Sequence, residues 1–239
     1  PVRVREVQQP GFVQTEPSAF TLDTPISLPV NGGARSFNIG DVIASGDFDG
    51  DGLAEIVSAN PDADSVSIVG FEGAGIPKRI DLAVGMTPLT VRVADLNADG
   101  HLDIVTANNG SNNVSVVLGN GDGTFQASSE FAAGTRPQSL TIADVDGGGT
   151  PDVVVSSDSS SDLQVLSNNG AGVLAAPVVV SVAGASSGED IESGDFDNDG
   201  DIDLAVVSSI QDRVSILLNA GSGTFGAATP VGVGMFPLG

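Results

Sequence analysis

Four short acidic loops recur along the chain, and their oxygen-bearing side chains are spaced for binding a divalent cation. The loops read DFDGDGLAE from Asp47, DLNADGHLD from Asp95, DVDGGGTPD from Asp144 and DFDNDGDID from Asp195. With the first aspartate as position 1, oxygen side chains occupy positions 1, 3, 5 and 9, except at position 5 of loop three, and glycine always occupies position 6. Alternate residues of a tight loop can turn inward around one ion, and the glycine permits a sharp bend at positive φ. The spacing predicts one cation site in each loop.

The candidate ligands occupy the same positions in each loop. They are Asp47, Asp49, Asp51 and Glu55 in loop one; Asp95, Asn97, Asp99 and Asp103 in loop two; Asp144, Asp146 and Asp152 in loop three; and Asp195, Asp197, Asp199 and Asp203 in loop four. The backbone carbonyl of position 7 is a further candidate, at Leu53, His101, Thr150 and Asp201. Gly148 replaces the oxygen side chain at position 5 of loop three, so we expect loop three to bind most weakly and loops one and four most tightly.

The chemistry of these ligands favours calcium. Calcium accepts 6 to 8 oxygen ligands in flexible geometry, whereas magnesium requires a strict octahedron and retains its waters. Carboxylates without Cys or His side-chain ligands disfavour zinc and copper. We therefore predict up to four bound Ca²⁺ ions, with the third site in question.

Ordinary β-turns and EF-hands are the two other structures that such acidic loops could form. Asp-Gly pairs also form ordinary β-turns, but a turn does not require carboxylates at positions 1, 3 and 9, and the register recurs four times. An EF-hand would need a Glu at position 12 and flanking helices. Position 12 is Ser58, Thr106, Val155 and Val206, and the residues after each loop favour strands. The EF-hand is excluded.

The elements around each loop predict an all-β repeat protein. The loops recur at roughly fifty residues, a period typical of solenoids and propellers. Each repeat contains four short apolar segments separated by polar or Gly/Asn-rich turns, which predicts a four-stranded antiparallel sheet. Such sheets bury their faces against one another when they stack around an axis, so we predict a β-propeller of about four blades plus partial edge strands. A β-helix ranks second, because its shorter coils would give a shorter period.

The predicted units leave both ends incomplete. The repeats occupy 19–239, with units at about 31–83, 84–132, 133–182 and 183–233 and a fifth repeat beginning near 234. Residues 1–18 are interpreted as a linker or an incomplete strand. We therefore expect this chain to be part of a longer polypeptide, carrying either an open arc or a small ring of blades.

Composition excludes several partners. Thirty-one acidic residues against 8 basic ones give a formal charge of −23, which argues against nucleic acid and anionic membranes. No apolar run approaches the roughly 20 residues of a membrane span, so membrane insertion is not expected. Cysteine is absent. Calcium sites of modest affinity suit the near-millimolar calcium outside cells, which predicts a secreted or cell-surface protein.

The turns GDGTF at 121–125 and GSGTF at 221–225, together with the acidic loops, resemble the FG-GAP/VCBS-type repeats of integrin-α-like propellers. The resemblance covers about 20–239. It implies calcium binding by the side chains at positions 1, 3, 5 and 9. The Phe-Gly and Gly-Ala-Pro tags of that family are only partly present, as Phe225-Gly226 and Ala175-Ala176-Pro177. No integrin ligand-binding residue is matched.

The sequence predicts a non-catalytic role. The one histidine, His101, has no visible catalytic partner, and no nucleophile motif is present. Phe48, Phe125, Phe196 and Phe225 recur at matching repeat positions, so we expect them to pack in the core between blades. We predict a calcium-stabilised adhesion or scaffold module with an unidentified protein or glycan ligand. The alternatives are part of an extracellular polysaccharide-acting enzyme, and a lectin.

Overall fold

The computed structural model describes residues 42–72, 76–182 and 190–235, which form four antiparallel sheets of four strands each. Sheet one contains β1 Ile43–Gly46, β2 Glu55–Asn60, β3 Ser65–Glu72 and β4 Ile76–Ala83. Sheet two contains β5 Pro88–Ala94, β6 Asp103–Asn108, β7 Asn113–Val117 and β8 Ser129–Ala132. Sheet three contains β9 Pro137–Ala143, β10 Asp152–Ser157, β11 Leu163–Leu166 and β12 Val178–Val180. Sheet four contains β13 Asp190–Gly194, β14 Asp203–Ser208, β15 Arg213–Leu217 and β16 Thr229–Gly232.

Every sheet is a simple meander, in which each strand pairs with the next one along the chain. The turn between the second and third strands ends on a residue with positive φ in three of the sheets: Asp64, Asn112 and Asp212. Asp and Asn tolerate this left-handed conformation better than most residues do. A short 3₁₀ helix at Ser209–Gln211 precedes the last of these turn residues. No helix within the described ranges is long and apolar enough to cross a membrane.

The sheets stack face to face, and each of three hydrophobic clusters fills the space between one sheet and the next. Between sheets one and two lie Phe48, Val57, Ala59, Val66, Ile68, Val91, Ile104 and Val117. Between sheets two and three lie Leu96, Val105, Ala107, Val114, Val116, Ala133, Leu140, Val153, Val155, Leu166 and Leu174. Between sheets three and four lie Val145, Val154, Leu163, Val165, Val182, Ile191, Leu204, Val206 and Leu217. We call each sheet a blade and each of these interfaces a seam.

The first strands of the blades converge. β5 packs against both β1 and β9, and β9 packs against β13. Hydrogen bonds join these strands, from Ser139 Oγ to Asp190 Oδ1 at 2.6 Å and between the hydroxyls of Thr141 and Ser193 at 2.9 Å. An ion pair of 3.1 Å joins Arg92 on β5 to Glu192 on β13, although blade three lies between their blades in sequence. The first strands therefore line a common polar centre, with the fourth strands outermost, which is the arrangement of a β-propeller.

The predicted fold class is confirmed in the all-β content, the four strands per blade and the stacking of blades. One core prediction is wrong: Phe196 is 49% exposed, whereas Phe48 at the same repeat position is 3% exposed. Phe125 and Phe225 are partly buried against their seams, as expected. The predicted segment 1–18, the beginning of the first unit and most of the expected fifth repeat lie outside the described residues.

Candidate metal centres

Each acidic loop connects the first strand of a blade to the second. In every blade the position-9 acid is the first residue of the second strand, and it pairs with the last residue of the first strand, as in Gly46↔Glu55 and Ala94↔Asp103. The four loops consequently lie at the same end of their blades. The carboxylates that recur along the sequence therefore also recur in space, at the same end of successive blades.

The position-1 aspartate closes each loop by accepting a hydrogen bond from the backbone N–H of the position-6 glycine. The N–O distances are 2.9 Å for Gly52 to Asp47, 2.8 Å for Gly100 to Asp95, 2.8 Å for Gly149 to Asp144 and 3.2 Å for Gly200 to Asp195. The four glycines have φ between 82° and 97°. Only glycine adopts this conformation without strain, so the predicted role of position 6 is confirmed.

The carboxylates at positions 3 and 5 are oriented by backbone N–H groups two residues further on. Asp51, Asp99 and Asp199 at position 5 each accept from the N–H of position 7, at 2.8 to 2.9 Å. At position 3, Asp146 Oδ1 accepts from Gly148 at 2.9 Å, and Asp49, Asn97 and Asp197 accept in the same way at 3.1 to 3.2 Å. These contacts use one oxygen of each side chain.

The position-9 carboxylate joins the loop to the rest of the blade. Asp103, Asp152 and Asp203 are fully buried, and each accepts two backbone hydrogen bonds. One donor is the loop residue at position 2, and the other is the second residue after the third strand, as when Asp103 accepts from Leu96 at 2.8 Å and from Gly119 at 2.9 Å. Asp152 and Asp203 repeat the arrangement. Glu55 accepts from Phe48 at 2.9 Å.

Three loops bring three carboxylates together, with one oxygen of each within 4.8 Å of the others. These groups are Asp47, Asp49 and Glu55; Asp144, Asp146 and Asp152; and Asp195, Asp197 and Asp199. Asp51 and Asp203 belong to the same loops but lie outside these groups. Loop two, which is described in full, does not form such an acidic cluster. Its position 3 is Asn97, whose Nδ2 donates to Asp99 Oδ2 at 2.9 Å.

Loop three lacks a carboxylate at position 5, where Gly148 stands, yet its other three predicted ligands come together. Asp144, Asp146 and Asp152 converge without a position-5 carboxylate. Asp144 Oδ1 is buried and has no hydrogen-bond partner. A buried anionic oxygen without a partner is costly, and a cation in this loop would satisfy it. The donor set fits a calcium ion, and the predicted order of affinities stays a prediction.

In blades two to four the position-7 side chains lie beside the turn after the third strand of their own blade. Thr150 Oγ1 donates to the carbonyl of Asn168 at 3.0 Å. The His101 ring lies directly against Gly121 and leaves no room there for a Cβ. Leu53 is 62% exposed, and Asp201 lies beside Gly221. Coordination by the position-7 carbonyls stays a prediction.

Several carboxyl groups of the loops have pKa values above their ordinary ones. Burial raises the pKa of Asp103 and of Asp152, opposed by their backbone N–H donors. Burial likewise raises the pKa of Glu55, and the charges of Asp49, Asp51 and Asp47 raise it further. At Asp197 desolvation and the charge of Asp199 raise the pKa. Packing carboxylates together is unfavourable without a counter-charge.

Loops one, two and three are also held by the blade that follows each of them. Asn168 Nδ2 donates to the carbonyl of Leu96 in loop two at 2.7 Å and to that of Pro151 in its own loop at 3.0 Å. Asn219 does the same with Val145 at 2.8 Å and Ile202 at 3.0 Å. In the first seam the Gly123 N–H donates to the Phe48 carbonyl at 3.0 Å. Sequence reasoning missed these asparagines, although each follows the third strand of its repeat.

The model for the FG-GAP-like repeat matches the chain at residues 47–106, 95–155, 144–206 and 195–238. The chain belongs to the FG-GAP-like repeat family. Each match begins at the first aspartate of an acidic loop, so the loops described above are the beginning of the family's repeat unit. The resemblance inferred from the sequence is confirmed. Among curated proteins, a search finds no match to this chain.

Solved structures support the propeller fold of this FG-GAP-like protein. A lectin from Agrocybe aegerita, described as recognising non-reducing terminal N-acetylglucosamine, aligns with a TM-score of 0.55 and 23% identity over 78% of this chain and 51% of its own. BBS1N in complex with ARL6DN aligns with a TM-score of 0.60 and 14% identity over 84% of this chain and 59% of its own. The chain thus spans about half to three-fifths of these proteins, and the likeness concerns the fold.

Proposed function

We propose that the acidic loops bind calcium, at up to four sites, and that the ions stabilise a propeller that serves as a non-catalytic binding scaffold. The observation that carries this proposal is the convergence of three carboxylates in loops one, three and four. It is supported by the unpartnered buried oxygen of Asp144 and by the membership in the FG-GAP-like family. A bound cation would supply the positive charge that offsets the repulsion among these carboxylates.

The chain's own contacts explain how occupancy would stabilise the fold. The position-1 aspartate holds the loop closed, and the position-9 acid connects the loop to the second strand and, in blades two to four, to the turn after the third strand. Loops two and three are also contacted by the next blade, where Asn168 and Asn219 donate to the backbone carbonyl at position 2 of each loop. Since the site exists only in the folded chain, binding would add directly to the free energy of unfolding.

For the binding partner of the propeller we propose only a chemical class. With a net charge of −23, the surface favours a protein or a glycan over nucleic acid. Loops at one end of a propeller are the usual place for such contacts. Millimolar calcium outside cells would keep sites of modest affinity occupied, which is the basis for proposing a secreted or cell-surface protein, in adhesion or as a scaffold.

The test of calcium binding is thermal unfolding of the full chain in CaCl₂ and in EGTA, with isothermal titration to count sites. We expect a higher melting temperature in CaCl₂ and a smaller effect of MgCl₂ at the same concentration. Identical melting curves in CaCl₂ and EGTA would refute the proposal. A glycan array containing N-acetylglucosamine-terminated glycans, and a polysaccharide-cleavage assay, separate a scaffold from the lectin and enzyme alternatives.

A further inference from the structure

A cleft opens between blades one and two, beside the fourth strands on the outer side of the first seam. Its volume is about 360 Å³, within the range of roughly 300 to 1,000 Å³ that is common for ligand pockets. Blade one contributes Leu82, Ala83 and Val84 to its lining, and blade two contributes Gln126, Ser128 and Glu130. All residues of the lining are described, and none is positively charged. We call this space the rim cleft.

The two walls of the rim cleft differ in chemistry. The blade-one wall is aliphatic, and both Leu82 and Val84 pack against the hydrophobic cluster of the first seam. The blade-two wall carries an amide, a hydroxyl and a carboxylate on three alternate residues, Gln126, Ser128 and Glu130. A ligand of the rim cleft therefore needs an apolar part and a part that forms hydrogen bonds.

The polar wall is specific to the first seam. The fourth strands of blades two, three and four pair with their third strands in the same register, so equivalent positions can be compared. At the three polar positions, blade three has Ala175, Pro177 and Val179, and blade four has Gly226, Ala228 and Pro230. None of these side chains forms hydrogen bonds. The polar wall is therefore not needed to build a blade, which favours a role in binding over a role in folding.

Ser128 has hydrogen-bonding capacity that the described part of the chain does not use. Its hydroxyl oxygen is buried without a partner, and such a group lowers the stability of the fold. Rotation about χ1 moves a serine hydroxyl between staggered positions, so that it can turn toward a ligand in the rim cleft. Glu130 is held in place through Oε2, which accepts from Asn113 Nδ2 at 2.6 Å. Its Oε1 can accept from a ligand, since each carboxylate oxygen is an acceptor.

We propose that the rim cleft binds an arginine side chain of a partner protein, an inference that rests on the proposed binding role and names the chemistry of the partner. Arginine has an apolar stem, which would pack on Leu82 and Val84, and a head that only donates. Its planar guanidinium can donate to the Glu130 carboxylate and to the Ser128 hydroxyl at once, which the compact lysine ammonium matches less well. The formal charge of −23 also attracts a basic partner segment.

NMR titration of the ¹⁵N-labelled full chain, in CaCl₂ at low ionic strength, tests the proposal. The probe is Nα-acetyl-arginine amide, and its matched control is Nα-acetyl-citrulline amide, which has nearly the same shape without the charge. We expect the arginine probe to produce saturable shifts in the backbone amide signals of residues 83–84 and 126–130. The citrulline probe should bind at least about tenfold more weakly, because hydrogen bonds to a charged donor are the stronger ones.

Two variants of the polar wall identify the residues that bind. Glu130→Gln keeps an acceptor for Asn113 and removes the charge, so it should weaken binding of the arginine probe about tenfold. Asp162→Asn removes the same charge from blade three, outside the rim cleft, and should leave binding unchanged. Ser128→Ala should weaken binding while the free energy of unfolding in urea stays the same or rises, since it removes a buried hydroxyl without a partner.

Four results would overturn the proposal. The arginine probe could give no saturable shifts at the rim cleft, or the citrulline probe could bind equally well. Equal weakening in Glu130→Gln and Asp162→Asn would show attraction by net charge alone, without a site. Saturation of the same signals by methyl N-acetylglucosaminide, with no response to arginine, would assign the rim cleft to a glycan. Melting in CaCl₂ and EGTA is measured on the same preparation, so a chain that calcium stabilises but that ignores the arginine probe refutes the rim cleft and leaves the proposed calcium sites intact.

Discussion

Gly70 lies directly against Glu55: a Cβ on Gly70 would come within 2.6 Å of the Glu55 Cγ. The two residues correspond to position 9 of the loop and to a position near the end of the third strand. In the other blades position 9 is the shorter aspartate, and the residue that corresponds to Gly70 is Leu118, Ser167 or Leu218. Blade one thus combines the longer acid, Glu55, with a glycine, Gly70, at the position that faces it.

This relationship predicts that Gly70→Ala destabilises the protein and that Glu55→Asp restores it. Gly70 is buried, so the added methyl group must displace Glu55, and overpacking of this kind costs about 1–3 kcal/mol. In the double variant the aspartate withdraws from the methyl group and can still accept from the Phe48 N–H, as its counterparts do. Urea unfolding of the single and double variants measures both effects. Additive losses in the double variant would contradict the explanation.

Asn219 provides a second prediction, for the seam between blades three and four. It is 4% exposed, and its Nδ2 bridges carbonyls of loop three and of its own loop. Asn219→Ala removes this donor from both carbonyls, of which that of Val145 is buried, so we expect the free energy of unfolding to fall by about 1–3 kcal/mol. Asn120→Ala is the control, because the Asn120 amide donates only to Thr124 within an exposed turn. Equal losses in the two variants would show that the bridge across the seam is not stabilising.

The repeated loops and strands were predictable because the information for them is local. The spacing of Asp47, Asp49 and Gly52 specifies a loop with a positive-φ bend, and the β-branched segments on either side specify strands. The structure confirms both. The same local register located the carboxylates that converge in loops one, three and four.

The errors and omissions concern contacts between distant parts of the chain. Asn168 and Asn219 contact loops 72 and 74 residues earlier, and nothing in their own repeats indicates those partners. The repeat pattern predicts that Phe196 is buried in the core, because Phe48 has the same repeat position. Its exposure depends on whether another blade covers it, which the repeat pattern does not encode.

Asp81 predicts a pH dependence away from the acidic loops. The Arg79 guanidinium donates to both oxygens of Asp81, and the Ser67 hydroxyl donates at 2.6 Å. These contacts, chiefly that from Arg79, lower the pKa of Asp81 below its ordinary value of 3.8. A carboxyl group with a lowered pKa in the folded state stabilises it above the unfolded pKa, and this contribution is lost as the pH falls through the folded pKa.

Replacing Arg79 should therefore reduce the pH-dependent stability that Asp81 contributes. In Arg79→Gln, we expect NMR titration to show the pKa of Asp81 moving back toward its ordinary value, and the loss of stability as the pH falls through the folded pKa of Asp81 to shrink. Arg136→Gln, which removes the ion pair with Asp158 on another blade, is the control. An Asp81 titration that is the same in Arg79→Gln and in the wild type would contradict this assignment.

Loop three offers a pair of variants that separates metal binding from folding. Asp146 is oriented by one N–H, from Gly148 at 2.9 Å, whereas Asp152 is fully buried and accepts from Val145 and Asn168. Asp146→Asn keeps an acceptor for Gly148 and removes one negative charge from the cluster. We therefore expect it to lower the calcium stoichiometry by one site while leaving stability in EGTA unchanged or slightly higher. Asp152→Ala should destabilise the chain in EGTA as well, by about 2–4 kcal/mol, because two buried donors lose a charged partner.

Calcium titration and urea unfolding in EGTA of both variants distinguish the two roles. If Asp146→Asn binds as many ions as the wild type, loop three is not a metal site, despite the unpartnered oxygen of Asp144. If both variants lose the same stability in EGTA, the assignment of different roles to the two acids is wrong, because Asp146 would then be as important for folding as Asp152. We expect Asp146→Asn to lose one ion and retain its stability in EGTA, and Asp152→Ala to lose stability. This pattern follows only when loop position 3 binds the ion and position 9 stabilises the blade.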